Sequence, residues 1–338
     1  MTDHRPHPHP HGLLRVSEPG EGPYAVAAGP DGAVWTTLVH AGAVARVGPD
    51  GQVTRYDTGA PDCGPSVLTT GPDGALWFTR NRDHRIGRVT TSGEMTAYEL
   101  PTPGSGPFGI AAGPDGALWF TAMHTDRIGR ITTSGEVTEY PLPVTGAFAS
   151  FITAGPDGAL WFTLNQANAV GRITTGGDIT LFPLPTPAAA PVGITAGPDG
   201  ALWCVEIGAG RIARITTAGT ITEFPLPDPG CRPHAITAGP DGRCWFTEWA
   251  ANRVGAITPD GRVEEHPLPA AAPEPHGLAF TPDGTLYTAQ ESGHLTRLVP
   301  AVTPDPTPTP TPTVPPRTGG ARRPRPGVPG GGPGTRGA

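Results

Sequence analysis

Apolar and polar positions along this chain recur with a fixed period. In one representative stretch, Ile110 to Ala112 is a short apolar run, Gly113-Pro114-Asp115-Gly116 breaks it, and Ala117 to Thr121 (ALWFT) is β-branched and aromatic. Arg127 to Thr132 (RIGRIT) then alternates polar and apolar residues, a second turn falls at Gly135, and Val137 to Tyr140 (VTEY) ends the unit. Continuous apolar runs suit strands buried on both faces, and strict alternation suits half-buried ones. Each unit therefore predicts an inner strand, two middle strands and an outer strand, with Pro141-Leu142-Pro143 leading to the next copy. Proline is tolerated at that edge because it need not donate to a ladder. No stretch sustains the 3.6-residue period of an amphipathic helix.

The tetrapeptide GPDG begins at Gly29, Gly71, Gly113, Gly155, Gly197 and Gly239, and TPDG begins at Thr281, each 42 residues after the last. Proline presets φ for such a turn and Asp-Gly supplies the bend. A repeat of roughly 40–45 residues carrying a Trp and a turn marks a β-propeller. Seven copies predict an all-β, seven-bladed propeller of four-stranded antiparallel blades. Trp35, Trp77, Trp119, Trp161, Trp203 and Trp245 keep the same register and predict packing between blades.

The seventh copy stops after Leu295–Val299 without an outer strand, while Leu13–Val16 (LLRV) precedes the first complete copy. Pairing these two segments closes the ring and removes an exposed edge. The propeller is thus expected over residues 12–300. The His/Pro-rich head (1–11) and the Pro/Thr- and Arg/Gly-rich tail (301–338) are expected to be disordered, because neither composition can bury a core.

Charge adds a constraint. The formal net charge is −7, and the tail, with five Arg and one Asp, is basic, so the propeller itself is acidic. Nucleic-acid binding requires a basic surface, so that partner class is disfavoured. No apolar run approaches the ~20 residues of a membrane span and no leader peptide is visible, so a cytoplasmic protein without a membrane partner, and a monomer, are expected. Cys63, Cys204, Cys231 and Cys244 lack metal-ligand spacing and read as buried free thiols.

Against this constant frame one slot varies, five residues before each GPDG or TPDG: Tyr24, Ser66, Phe108, Ser150, Val192, His234 and His276. It lies where the inner strand enters the central channel. His234, His276 and Tyr24 fall on blades 6, 7 and 1, which are successive around the ring. Residues two apart in a strand share a face, so Glu274 is expected beside His276, as Arg232 is beside His234. Glu291 follows the second strand of blade 7, next to Gln290, and either of the two can face the site. Glu206 and Glu248 end the equivalent strands of blades 5 and 6 and read as structural or solvated. Trp249 stands off the Trp register and is a candidate surface contact.

The segments GPYAV (22–26), RPHAI (232–236) and EPHG (274–277), set among the IGRIT and LWFTE repeats, resemble the virginiamycin B lyase (streptogramin B lyase) family over about residues 12–300. That resemblance implies a carbon–oxygen lyase that linearises a small cyclic depsipeptide antibiotic of the streptogramin B type. The reaction would be a Mg²⁺-dependent elimination at the ester, conferring antibiotic resistance. It implies His276 as the catalytic base or acid, His234 and Tyr24 as substrate-binding residues, and Glu274 and Glu291 as metal ligands. The alternatives are a non-catalytic propeller that binds a peptide or protein at the channel mouth and a metal-dependent, lactonase-like hydrolase.

Overall fold

A computed structural model describes residues 10–300, together with Gly327 and Gly330. Its strands form seven four-stranded antiparallel sheets, and the seven-bladed propeller anticipated from the repeat is present. In the third blade the strands are Pro107–Ala112, Leu118–Ala122, Arg127–Ile131 and Val137–Pro141. The inner strand starts earlier than expected because a bulge between Pro107 and Ile110 carries it on to the channel mouth.

The aspartate of each GPDG does more than make a turn. Asp31, Asp73, Asp115, Asp157, Asp199 and Asp241 each accept a hydrogen bond from the indole Nε1 of the Trp four residues on, at 2.9–3.2 Å. The other carboxylate oxygen accepts an arginine Nε at 2.6–2.7 Å. In five blades this arginine comes from the third strand. In blade 6 that position is Ala256, opposite Trp245, and Arg243, the residue just before the second strand, supplies the guanidinium instead. Burial alone would raise the Asp31, Asp73, Asp115, Asp157 and Asp199 carboxyls, but the Arg and Trp donors outweigh it and hold them below the usual range.

The same Trp rings stack on an outer-strand ring, Tyr56, Tyr98, Tyr140, Phe182, Phe224 or His266, with centroids 5.2–5.7 Å apart and planes within 11–16°. They also meet the next blade, as Trp119 packs with Leu160 and Phe162. The third-strand glycine makes room for a second layer. At Gly87, Gly129, Gly171 and Gly255 a Cβ would stand 2.0–2.2 Å from the ring of Phe78, Phe120, Phe162 or Phe246. Where the second-strand residue shrinks, the glycine is relaxed: Cys204 faces Ala213 and Thr36 faces Ala45. Cys204 is thus a volume-matched core residue, and all four cysteines are buried and free, as expected.

Blade 7 lacks the clasp. Tyr287 replaces the Trp, and Asp283 is bonded instead to Thr281 and Thr285. Its outer strand is Pro10–Arg15, paired antiparallel with His294–Leu298 through Leu13–Thr296, Leu14–Leu295 and Arg15–His294. The ring therefore closes through the N-terminal segment, with the strand beginning two residues before the predicted boundary. The remainder of the predicted head and the tail lie outside the described residues, apart from the two glycines. At the turn end of this seam, away from the channel mouth, Leu13, Leu14, Val34, Val47 and Tyr287 line a cleft of about 600 Å³. No helix among the described residues is long and apolar enough to cross a membrane.

Glu206 and Glu248 are fully buried, so the solvated reading of them is wrong: each ends a second strand whose five residues are all inside. Glu248 has Arg253 as partner at 2.5 Å. Neither carboxylate oxygen of Glu206 has a hydrogen-bond partner among the described residues. Burial, followed by the neighbouring Glu223, pushes the Glu206 carboxyl up to about 8.

Two predictions follow from the closure and from this buried acid. Removing residues 1–16 strips the edge of blade 7 and should lower Tm by several degrees or more; an unchanged Tm would mean that the ring is held by other contacts. An unfolded glutamate ionises near 4.5, whereas Glu206 keeps its proton in the fold to about 8, so it makes stability fall as pH rises between those values. Glu206→Gln should flatten that part of the Tm–pH curve relative to wild type, and parallel curves would assign the slope to other groups.

Candidate functional site

The slot residues are carried on the inner strands, and a hydroxyl from the preceding blade fixes several of them. The Thr of the second strand donates to the carbonyl of the slot residue one blade on: Thr37 to Ser66, Thr79 to Phe108, Thr121 to Ser150, Thr163 to Val192 and Thr247 to His276, at 2.6–2.8 Å. The same position is Val205 before His234 and Ala289 before Tyr24, so these two side chains stand on strands without that bridge. Of the two histidines, His276 is the one whose carbonyl accepts this bridge, from Thr247.

Tyr24, His234 and His276 converge, as the slot predicted. The Tyr24 and His276 rings are 4.8 Å apart, His234 and His276 meet edge to face at 5.1 Å, and Tyr24 and His234 at 5.7 Å. The Tyr24 hydroxyl lies 3.2 Å from His234 Nε2, and either atom can be the donor. Burial and the adjacent Glu291 push the Tyr24 phenol far up, so it keeps its proton. Burial, then His276, pushes His234 down to about 3. Burial likewise lowers His276 to about 4, although Glu274 pulls the other way. Both imidazoles are neutral at neutral pH, and neither ring nitrogen of His276 has a hydrogen-bond partner among the described residues.

Glu291, not Gln290, faces this cluster. Gln290 is fully buried and accepts a hydrogen bond from Thr296 Oγ1 at 2.7 Å. Glu291 Oε1 lies 3.3 Å from His276 Nε2 and 4.0 Å from His40 Nε2.

Glu274 comes beside His276 by a route other than the one expected. The strand starts at Pro275, and Glu274 sits just outside it at φ 61°, so face alternation does not apply. The same place in the other blades is Gly22, Gly64, Gly106, Phe148, Ala190 and Arg232, all with φ between 51° and 65°. This left-handed bend suits glycine and costs a side-chain-bearing residue about 1–2 kcal/mol. Glycine there has a second use in blades 1–3. A Cβ at Gly22, Gly64 or Gly106 would strike His40, Arg82 or His124, which lie across it from the following hairpin. In blades 1–3 the mouth is therefore lined from the hairpins alone, and in blades 4–7 the bend residues add side chains of their own.

Sequence reasoning missed this lining and the channel floor. Phe151 stands one residue past the slot yet meets Phe108 at 5.4 Å and His234 at 6.1 Å. Its signal was the single aromatic residue at a position that is otherwise Ala25, Val67, Gly109, Gly193, Ala235 or Gly277. Trp249 is at the rim, under the Arg232 guanidinium at 5.8 Å.

Among the described residues no group of three or more His, Cys, Asp or Glu is placed to hold a metal. Glu274 and Glu291 instead flank His276 as two carboxylates open to the mouth. That sparse set fits Mg²⁺, which takes one or two carboxylates and fills its octahedron with water or substrate oxygens.

Known proteins resemble this chain in sequence and in fold. The profile of the virginiamycin B lyase family matches residues 12–298. Virginiamycin B lyase from Staphylococcus aureus superposes with a TM-score of 0.82 at 48% identity, covering 86% of this chain and 99% of that one. A catalytically inactive variant of the same lyase, solved with quinupristin, has a TM-score of 0.82 at 47% identity, covering 86% and 99%. In sequence alone, virginiamycin B lyase of Mycobacterium sp. (strain KMS) is 66% identical over 41 residues, which is 12% of this chain and 15% of that protein.

The strained bend yields a prediction in which stability and activity part. Glu274→Gly should gain about 1 kcal/mol of stability from relief of the left-handed conformation, while any metal- or substrate-dependent activity falls. Denaturant midpoints checked beside activity would test this, and a variant less stable than wild type would show that Glu274 is held by favourable contacts.

Proposed function

The chain belongs to the virginiamycin B lyase family, and from this we propose that it is a carbon–oxygen lyase opening streptogramin B-type cyclic depsipeptides at their ester bond. The observation that carries the proposal is a neutral, buried imidazole with an unbonded Nε2 set 3.3 Å from a carboxylate at the channel mouth. A base that must take a weakly acidic proton has to be unprotonated beforehand and stabilised once protonated. Burial keeps His276 neutral, and Glu291 is placed to hold the imidazolium.

In the proposed step His276 Nε2 takes the α-proton of the esterified threonine residue. The electrons of that C–H bond form the Cα=Cβ double bond. The Cβ–O bond breaks with its electron pair on the ester oxygen, which leaves as a carboxylate. Tyr24, protonated and beside His234, offers a hydroxyl donor to a substrate carbonyl, while His234, Phe108 and Phe151 form the wall and floor on which the ring rests. Glu274 and Glu291 would hold Mg²⁺, which when bound supplies a Lewis acid for charge growing on substrate oxygens. The product has the mass of the substrate, and opening the ring would give resistance to the antibiotic.

Incubation with quinupristin followed by mass spectrometry tests the reading. An isobaric, linear product absorbing in the near ultraviolet is expected, with the rate reduced at least ~10²-fold in His276→Ala and abolished by EDTA. A product heavier by one water would establish hydrolysis in place of elimination.

A further inference from the structure

Ring opening creates a group the intact substrate lacks, a free carboxylate. We propose that Arg82, set by His40, is the residue that receives the product's new carboxylate at the rim of the channel; this rests on the lyase reading above.

The argument begins with connectivity. From Glu291, His40 Nε2 lies 4.0 Å away, and His40 Nδ1 lies 3.4 Å from Arg82 Nη2. A guanidinium can only donate, so His40 Nδ1 is the acceptor and the ring proton sits on Nε2, facing Glu291. His40 thus spans from the catalytic carboxylate to Arg82 and fixes where the arginine stands. The bend at Gly64 clears the path, since a Cβ there would come within 2.9 Å of Arg82 Cγ.

Arg82 is also uncommitted. Among the described residues no carboxylate lies within ion-pair distance of it, although Asp83 is next to it in sequence. Asp83 is taken by Arg80, which bonds both of its oxygens. Arg82 is exposed at the mouth. Arg232, on the far side of the site, is a weaker candidate because its guanidinium lies over the Trp249 ring.

Charge supplies the direction. The elimination leaves an electron pair on the former ester oxygen, a negative charge that the intact ring does not carry. A linear product is free to swing its new terminus outward, and toward blade 2 the first unpaired cation is Arg82. A guanidinium accepts a carboxylate bidentately, which neither an amide nor the intact ester can match. Arg82 therefore acts after the bond has broken, on the binding and release of product.

Calorimetry with the linear acid made by the enzyme from quinupristin, and with the terminal amide prepared from that acid, tests this in EDTA. Wild type should bind the acid about tenfold more tightly than the amide. Arg82→Gln should bind the two equally, Arg82→Lys should restore part of the difference, and Tm should stay unchanged. Wild type that opens quinupristin yet binds acid and amide alike overturns the proposal and leaves the lyase reading intact. The same holds if Arg82→Gln keeps the preference or if Arg232→Gln alone removes it. Wild type that does not open quinupristin overturns the lyase reading, and this proposal with it.

Discussion

One carboxylate per blade carries the architecture. The GPDG aspartate ties its own turn to the indole of the second strand and to a guanidinium, so a hairpin end, a large core ring and a surface cation become one rigid unit. The ring so held is sandwiched between the outer strand of its own blade and the sheet of the next. Because the Trp stands at a constant distance from the turn, blades can be stacked at constant spacing without insertion. Blade 6 shows the demand for the clasp: it loses the usual arginine to Ala256 and recovers the contact through Arg243. Blade 7, which gives the clasp up, is the blade held by a strand from the other end of the chain.

A frame fixed so far from the channel leaves the mouth free to vary. Each inner strand enters through a left-handed bend, followed by proline except in blade 4, where Ala149 follows Phe148, and the bend residue is either glycine, admitting a hairpin side chain over it, or a side chain in its own right. Blade 7 uses the second option to place Glu274 and its hairpin to place Glu291, so His276 has a carboxylate from each. The cost falls on the backbone at Glu274. The hydroxyl bridge from Thr247 holds His276 in place, while the strands bearing His234 and Tyr24 lack such a bridge. His276 is thus fixed more firmly than Tyr24 and His234.

The period of 42 residues made the fold legible, because turn chemistry and strand alternation repeat with it, and the unpaired end of blade 7 pointed to Leu13–Val16. The slot rule brought Tyr24, His234 and His276 together for the same reason. What escaped were features set by local departures from the average blade. Phe151 enters the channel one residue past the slot. Glu274 reaches His276 through a left-handed bend that no alternation rule anticipates. Glu291 and Gln290 could not be separated until Thr296 was seen to hold Gln290 in the core. Burial of Glu206 depends on how the blades stack, so its neighbours in sequence left open whether it was structural or solvated.

The ring closure also sets an order in time. Tyr24 belongs to the first complete blade and Glu291 to the last, and the sheet carrying His276 and Glu291 needs the segment Pro10–Arg15 for its outer edge. On the ribosome six blades can be complete while this edge strand waits unpaired for its partner, His294–Leu298. A chain that stalls before the seventh blade is made would have nearly all of its core, with Tyr24 and His234 in place, but would lack Glu274, His276 and Glu291. The cluster of Tyr24, His234, His276 and Glu291 is complete only when synthesis has reached the end of the ring, and the waiting strand is the part of the nascent protein most open to capture by another chain.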